Sequence, residues 1–343
     1  MKKVILVAIS LLFFVSGCGK YTENDAIRDF ENKIKKINAY KLSGNLEIVN
    51  NDDVYNYNVE VSYKKENYYK VCLTNIANNH SQIILKNKDG VYVLTPALNK
   101  SFKFQSDWPY SNSQIYLLHA LLNDLKNTDN RKFVNDDEKI IFSTNVNYPN
   151  SEKLTCQEIY MDKNYNVKEV RVLDKDGNVE IKMSFDKIDY SPKFKDNYFD
   201  LNQIIEEKNI GSNTDNKDNK TEQTKSTATI DDIVYPMYLP TNTYLTSQEK
   251  VSTSTGERLI LTFDGDNPFI LVEEVSKAND EHVIVPTFGE LELLADSVAI
   301  VNNNSVNWYS NGVEYYLASN TMKTGEILEI VRSISVLPVA NLK

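Results

Sequence analysis

A chain of 343 residues exceeds one hydrophobic core of ordinary size, so two domains are expected. The formal net charge is −10, from 48 acidic against 38 basic residues, which repels polyanions and argues against a nucleic-acid partner. With 11 glycines, 3 histidines and 3 cysteines, the chain holds no glycine-rich phosphate loop, no Cys-x-x-Cys and no His-Glu-x-x-His, so no metal or other cofactor is expected.

The first eighteen residues read as a leader. Lys2 and Lys3 form a basic start, Val4 to Val15 an apolar run, and "VSGC" ends it at Cys18. A helix needs about 20 apolar residues to span a bilayer, so this shorter run is a signal peptide (1–18) rather than a membrane span. Ser16 and Gly17 before a cysteine resemble the lipobox of bacterial lipoproteins, in which Cys18 is acylated and becomes the first residue after cleavage. An ordinary secretory signal with a chance cysteine is the alternative. Acylation contributes about 0.8 kcal/mol per buried methylene, so lipidated Cys18 would hold the domain at a membrane. The abundance of Asn, Lys, Ile and Tyr suggests a low-GC Gram-positive source. The expected location is extracytoplasmic, on the outer face of the cell membrane or the corresponding spore membrane.

Next, Tyr21 to Tyr40 repeats apolar residues at Ile27, Phe30, Ile34 and Ile37, the spacing of an amphipathic helix. A run of strands follows, punctuated by turn residues at Asn50–Asp53, Lys65–Asn67, Lys88–Gly90 and Pro96–Asn99. In "VYNYNVEVSY", alternation puts Tyr55, Tyr57, Val59, Val61 and Tyr63 on one face, either as ordinary sheet or as a tyrosine-rich binding surface. "KDGVYVLTPALNKSFKFQSD" has the grammar of a hairpin, with Val91, Val93, Phe102 and Phe104 on one side, and closes on Trp108-Pro109. The pattern breaks at Ser111–Leu125, where Ile115, Leu118, Leu121, Leu122 and Leu125 predict a second helix. More strands follow to Tyr190. Two strand blocks separated by one helix, with another in front, describe a curved antiparallel sheet with helices on its concave side, an α+β fold. Residues 207–229 are too polar to offset their ordering entropy and read as a flexible linker. Residues 230–338 alternate again and end in "GEILEIVRSI", a small α+β domain.

The order of "KDGVYVLTPALNK", "WPYSNSQIYLLHALLNDL", "VLDKDG" and "FDKIDY" resembles the LolA-type lipoprotein carrier superfamily over residues 21–206. With the lipobox, Trp108-Pro109 and "SQIYLL", the segment looks most like clostridial lipoproteins of the germination GerS type. The resemblance implies a LolA-like incomplete β-barrel over 19–206, closed by helices. Carriers of this superfamily hold an acyl chain on the concave face, whereas GerS-type proteins bind and activate a cortex-modifying amidase. An acylated Cys18 would tether the chain, which argues against shuttling between membranes. The tail, with "YPMYLP" and "WYSNGVEYYL", is similar to a Firmicute envelope domain of unknown function.

Catalytic chemistry finds little support. A serine nucleophile would want Gly-x-Ser-x-Gly, which is absent. Asp136-Asp137-Glu138 and Glu273-Glu274 read as solvated turn or strand-edge acids rather than a glycosidase pair. "DKNYN" and "DKDGN" have calcium-like spacing but no Glu at loop position twelve, so hairpin turns explain them better. His119 is expected to be a core or rim histidine with a satisfied hydrogen bond rather than a ligand or catalytic residue. Cys72 and Cys156 are either bridged or simply small buried hydrophobes. The chain therefore reads as a non-catalytic, membrane-anchored binding lipoprotein. Val91, Val93, Phe102, Phe104, Trp108, Tyr116 and Leu118 are the candidate groove. Its partner would be a cell-wall or spore-cortex amidase or another envelope protein; the alternative is a carrier or sensor of a lipid acyl chain or lipoprotein.

Overall fold

The computed structural model describes residues 21–51, 53–104, 106, 108–129, 131–214, 229–230, 232–254 and 256–334. The leader, Cys18 and most of the expected linker lie outside the described residues.

The chain opens with α1 (Glu23–Lys35), started by a reciprocal cap between Thr22 and Asp25. Six strands follow: β1 (Ala39–Asn50), β2 (Asp53–Lys64), β3 (Tyr68–Asn75), β4 (Ser81–Asn87), β5 (Gly90–Thr95) and β6 (Lys100–Phe104). After α2 (Leu118–Asn127) come β7 (Lys132–Asn135), β8 (Lys139–Asn145), β9 (Cys156–Asp162), β10 (Val167–Leu173) and β11 (Val179–Asp189). Beyond α3 (Leu201–Thr214) lie β12 (Thr243–Ser252), β13 (Gly256–Gly265), β14 (Phe269–Ser276) and β15 (Val283–Thr287). The last elements are β16 (Glu290–Leu293), β17 (Val298–Val301), β18 (Ser305–Ser310), β19 (Val313–Ala318) and α4 (Thr324–Arg332).

These strands make two open sheets. The first has 12 strands in the order β15-β6-β5-β4-β3-β2-β1-β11-β10-β9-β8-β7, and the second has 7, ordered β12-β13-β14-β19-β18-β17-β16. The hairpin at Val91–Phe104 forms as read, with Val91 opposite Phe104 and Val93 opposite Phe102. Asn99 takes the left-handed turn position at φ 49°. The "DKNYN" and "DKDGN" turns are hairpin turns in which Asp162 and Asp174 each accept backbone and Asn side-chain hydrogen bonds from within the loop.

One face of the first sheet buries a core with α1 and α2, drawing on Phe30, Leu42, Leu46, Val61, Leu121 and Phe142. The tyrosine face of β2 belongs to it: Tyr55, Tyr57 and Tyr63 are all buried, so that face is core rather than a binding surface. Helices are not confined to this face. The Phe199, Leu201 and Ile204 segment around α3 packs on the opposite face, against Ile83, Leu85, Tyr92 and Leu94. Residues of β4 and β5 are therefore buried alternately on both sides.

The expected helix over Ser111–Leu125 is shorter at its start. The Ser113 N–H donates to the Asn147 carbonyl, and its Oγ accepts from the Asn147 N–H, so the strand connection claims this backbone before a helix can. Ile115, Tyr116 and Leu117 still point inward. Cys72 and Cys156 are both free.

The segment read as a second domain reaches into the first sheet. Strand β15 pairs in parallel with β6 through Val283–Thr287 against Lys100–Phe104. Strand β17 lies between the two cores: Val298 and Ile300 enter the first, and Ala299 and Val301 join α4 in the second. Gly289 sets its neighbour β16, since its φ is +119° and an added Cβ would stand 2.4 Å from the Val301 carbonyl oxygen. Because both cores share β17, heat unfolding should be one calorimetric transition with equal calorimetric and van't Hoff enthalpies. Ile300→Ala should shift that whole transition down, at a cost of about 2–5 kcal/mol. Two resolved transitions would contradict the shared core.

Candidate functional site

The candidate groove is the junction between the two sheets. Val91, Phe104, Trp108, Tyr116 and Leu118 are buried in the first core, and Trp108 is 0% exposed. Val93 is buried as well yet borders a cavity, and Phe102 is half-buried beside it. The side of the core open to these residues is filled by Leu291, Ala295, Val298 and Ile300 of the second unit.

Three side chains of the first sheet and its following loop hold that insertion by its backbone. The Gln82 carboxamide accepts from the Val298 N–H at 2.6 Å and donates to its carbonyl at 3.4 Å. The Tyr57 hydroxyl donates to the Ala295 carbonyl at 2.9 Å, and the Asn112 amide to the Leu291 carbonyl at 3.0 Å. On the outer side, Asn99 and Asn279 each donate a side-chain hydrogen bond to the other's turn, and the His282 ring meets Asn99 Oδ1 and Ser101 Oγ. Burial holds the His282 pKa below its ordinary value.

A cavity of ≈ 190 Å3 remains between β5–β6 and the second sheet. Its walls include Val93, Phe102, Val272, Trp308, Tyr315 and Tyr316. The Trp308 and Tyr315 rings stack at 4.9 Å, and the Lys100 ammonium sits 5.0 Å from the Phe102 centroid. At the rim, Lys100 Nζ is 2.6 Å from Glu314 Oε1 and Arg258 is 2.7 Å from Glu274. Across the junction a second cleft, ≈ 350 Å3, is bordered by the Arg332–Glu292 pair and the Lys153–Glu180 pair. Burial raises the Glu292 carboxyl, and Arg332 opposes the shift.

Of the acid clusters, the first is the expected solvated turn and the second departs from its reading at Glu273. Asp136 stays in a turn, accepting the Glu138 and Lys139 N–H groups, but Glu273 is 0% exposed because its strand faces α4 and the Ile233–Val234 segment. Its carboxylate accepts from the Val234 N–H at 3.1 and 3.3 Å, and burial pushes its pKa up to about 7. His119 is a core histidine among Tyr40, Tyr63 and Tyr69, but its Nδ1 has no hydrogen-bond partner; burial pushes its pKa down to about 4. Among the described residues no group of three or more His, Cys, Asp or Glu is placed to hold a metal, and no helix is long and apolar enough to cross a membrane.

Sequence reasoning missed the inserted hairpin β16–β17. Its signal was the unbroken apolar run Val298-Ala299-Ile300-Val301, which marks a strand buried on both faces.

No family model matches the chain. The sporulation protein YdcC of Bacillus subtilis is 31% identical over 341 residues, covering 97% of this chain and 98% of that protein. Among solved structures, MucB in complex with MucA from Pseudomonas aeruginosa is 10% identical over 90% of this chain and 98% of that one, with a TM-score of 0.32. A chain from the complex of the CwlD amidase with the GerS lipoprotein of Clostridioides difficile is 17% identical over 52% of this chain and 97% of that one, with a TM-score of 0.21.

Glu273 gives the second core a pH signature. Its folded pKa of about 7 exceeds the 4.5 of a free carboxyl, so the folded state holds the proton longer. The stability this group contributes is full below pH 4.5 and is lost as pH rises through 7. Glu273→Gln should raise the melting temperature at pH 8 and flatten the difference between pH 4.5 and 7, as measured by thermal melts across pH.

Proposed function

We propose that this chain, which belongs to the family of the Bacillus subtilis sporulation protein YdcC, is a non-catalytic binding lipoprotein of the sporulating cell's envelope that acts through a protein partner. The leader and Cys18 would hold it at the outer face of the membrane. Residues 21–206 would form a LolA-like incomplete barrel, and their resemblance to GerS-type lipoproteins makes a cortex or cell-wall amidase the first partner to test.

The observation that favours a protein partner over an acyl chain is the filled groove. Leu291, Ala295, Val298 and Ile300 occupy the side where an acyl chain would lie, leaving ≈ 190 Å3 on the β5–β6 side and, across the junction, a ≈ 350 Å3 cleft bordered by two ion pairs. Benzene fills an apolar void of about 150 Å3, so the first space suits one ring and is short for a long acyl chain. Its rim also carries the Lys100–Glu314 pair, which a hydrocarbon tail would strip of water without offering it a hydrogen bond.

The reading predicts that Cys18→Ala moves the protein from the membrane to the soluble fraction of sporulating cells. In cross-linked sporulating cells, affinity capture of the tagged full chain should enrich an envelope enzyme over an untagged control. Recovery of lipid with no envelope protein would favour the carrier reading instead.

A further inference from the structure

We infer that the cavity between β6 and the second sheet binds a single aromatic side chain with a polar tip, a tyrosine or tryptophan presented by the partner protein. This rests on the partner-binding reading and assigns the contact within it.

Size sets the first limit. The ≈ 190 Å3 space exceeds the void of about 150 Å3 that benzene fills, so it admits one ring system. Phe102 and Tyr316 offer rings to it, and the stacked Trp308–Tyr315 pair, whose side chains belong to the second core, backs the strands on which Asn307 and Tyr316 stand. Tyr316 is 36% exposed, so the space is reached from solvent.

Polarity sets the second limit. The charges at the rim are already engaged, Lys100 with Glu314 and Glu274 with Arg258, and the Gln82 amide is held by Val298. Asn307 lies opposite Tyr316 in the β18–β19 ladder, so the two share the sheet face that borders the cavity. It is half-buried, and its carboxamide has no hydrogen-bond partner among the described residues. A carboxamide both donates and accepts, so it can take a phenol hydroxyl or an indole N–H. A guest carboxylate would find no free cation at this rim among the described residues, since Lys100 and Arg258 are already paired, and its desolvation would go uncompensated. Buried tyrosine and tryptophan anchors in such pockets carry much of the energy of protein interfaces.

The test uses the purified full chain with p-cresol, indole and toluene as probes, followed by isothermal titration and saturation-transfer NMR. Indole and p-cresol should bind saturably, with toluene weaker by about fivefold, close to 1 kcal/mol for one hydrogen bond. Val272→Phe, which places a ring inside the cavity, should weaken both polar probes by about tenfold or more. Asn307→Leu should erase the preference for p-cresol over toluene without lowering the melting temperature, which separates loss of the amide from misfolding. Absence of saturable binding, equal binding of toluene and p-cresol to the native chain, or unchanged affinity in Val272→Phe would each overturn the inference. Because the probes need no partner, a failed titration beside a successful capture removes the aromatic pocket and leaves the partner reading standing.

Discussion

A β-strand has two faces, and in β17 they belong to different cores. Val298 and Ile300 complete the core that α1 and α2 cover, while Ala299 and Val301 complete the one that α4 covers. A sheet with one buried face has to be covered along its length, and the first sheet cannot do this with its own two helices. The second unit is therefore part of the first unit's packing. Pulling the two apart would expose both sets of residues at once and strand the polar groups of Tyr57, Gln82 and Asn112 that now meet the inserted backbone.

This arrangement changes what a groove means here. In an open half-pipe, the inward residues of the hairpin would be the ligand contacts. With β16 and β17 inserted, Val91 and Phe104 become core, and the accessible chemistry moves to the seam where Phe102 meets the second sheet. The seam is mixed in character: aromatic walls, two ion pairs at the rim and a half-buried amide. Such a surface discriminates by shape and one hydrogen bond rather than by oiliness.

Much of the local structure was legible in the sequence. Alternation in "VYNYNVEVSY" and the spacing of Val91, Val93, Phe102 and Phe104 reported strands and their buried faces, because pleating imposes a period of two on any half-buried strand. The turns at Asp162 and Asp174 were legible because Asx hydrogen bonds form within a few residues. The start of α2 was not, since the contact that displaces it comes from Asn147, far along the chain. Nor was the burial of Glu273, whose neighbour Glu274 is bound to Arg258 at the surface; two adjacent acids on a strand point to opposite faces, and only packing decides which face is dry. The cavity was hidden for the same reason, because its walls come from strands that only tertiary contact brings together.

The parallel pairing of β15 with β6 has a consequence for how the chain reaches its native state. Asn99 and Asn279, joined by a hydrogen bond, are 180 residues apart in sequence. A polypeptide that emerges N-terminus first would form β1 to β6 with the outer edge of β6 unpaired and the side awaiting β17 bare. Contacts between such distant segments slow folding, and an unpaired edge beside bare apolar surface is a template for aggregation. When β15 arrives, the Val283 N–H turns inward to the Asn99 carbonyl, so by alternation Pro286 turns outward. The finished sheet then ends on a residue with no N–H to offer a neighbouring chain. The late strand thus covers the β6 edge and blunts its own at Pro286.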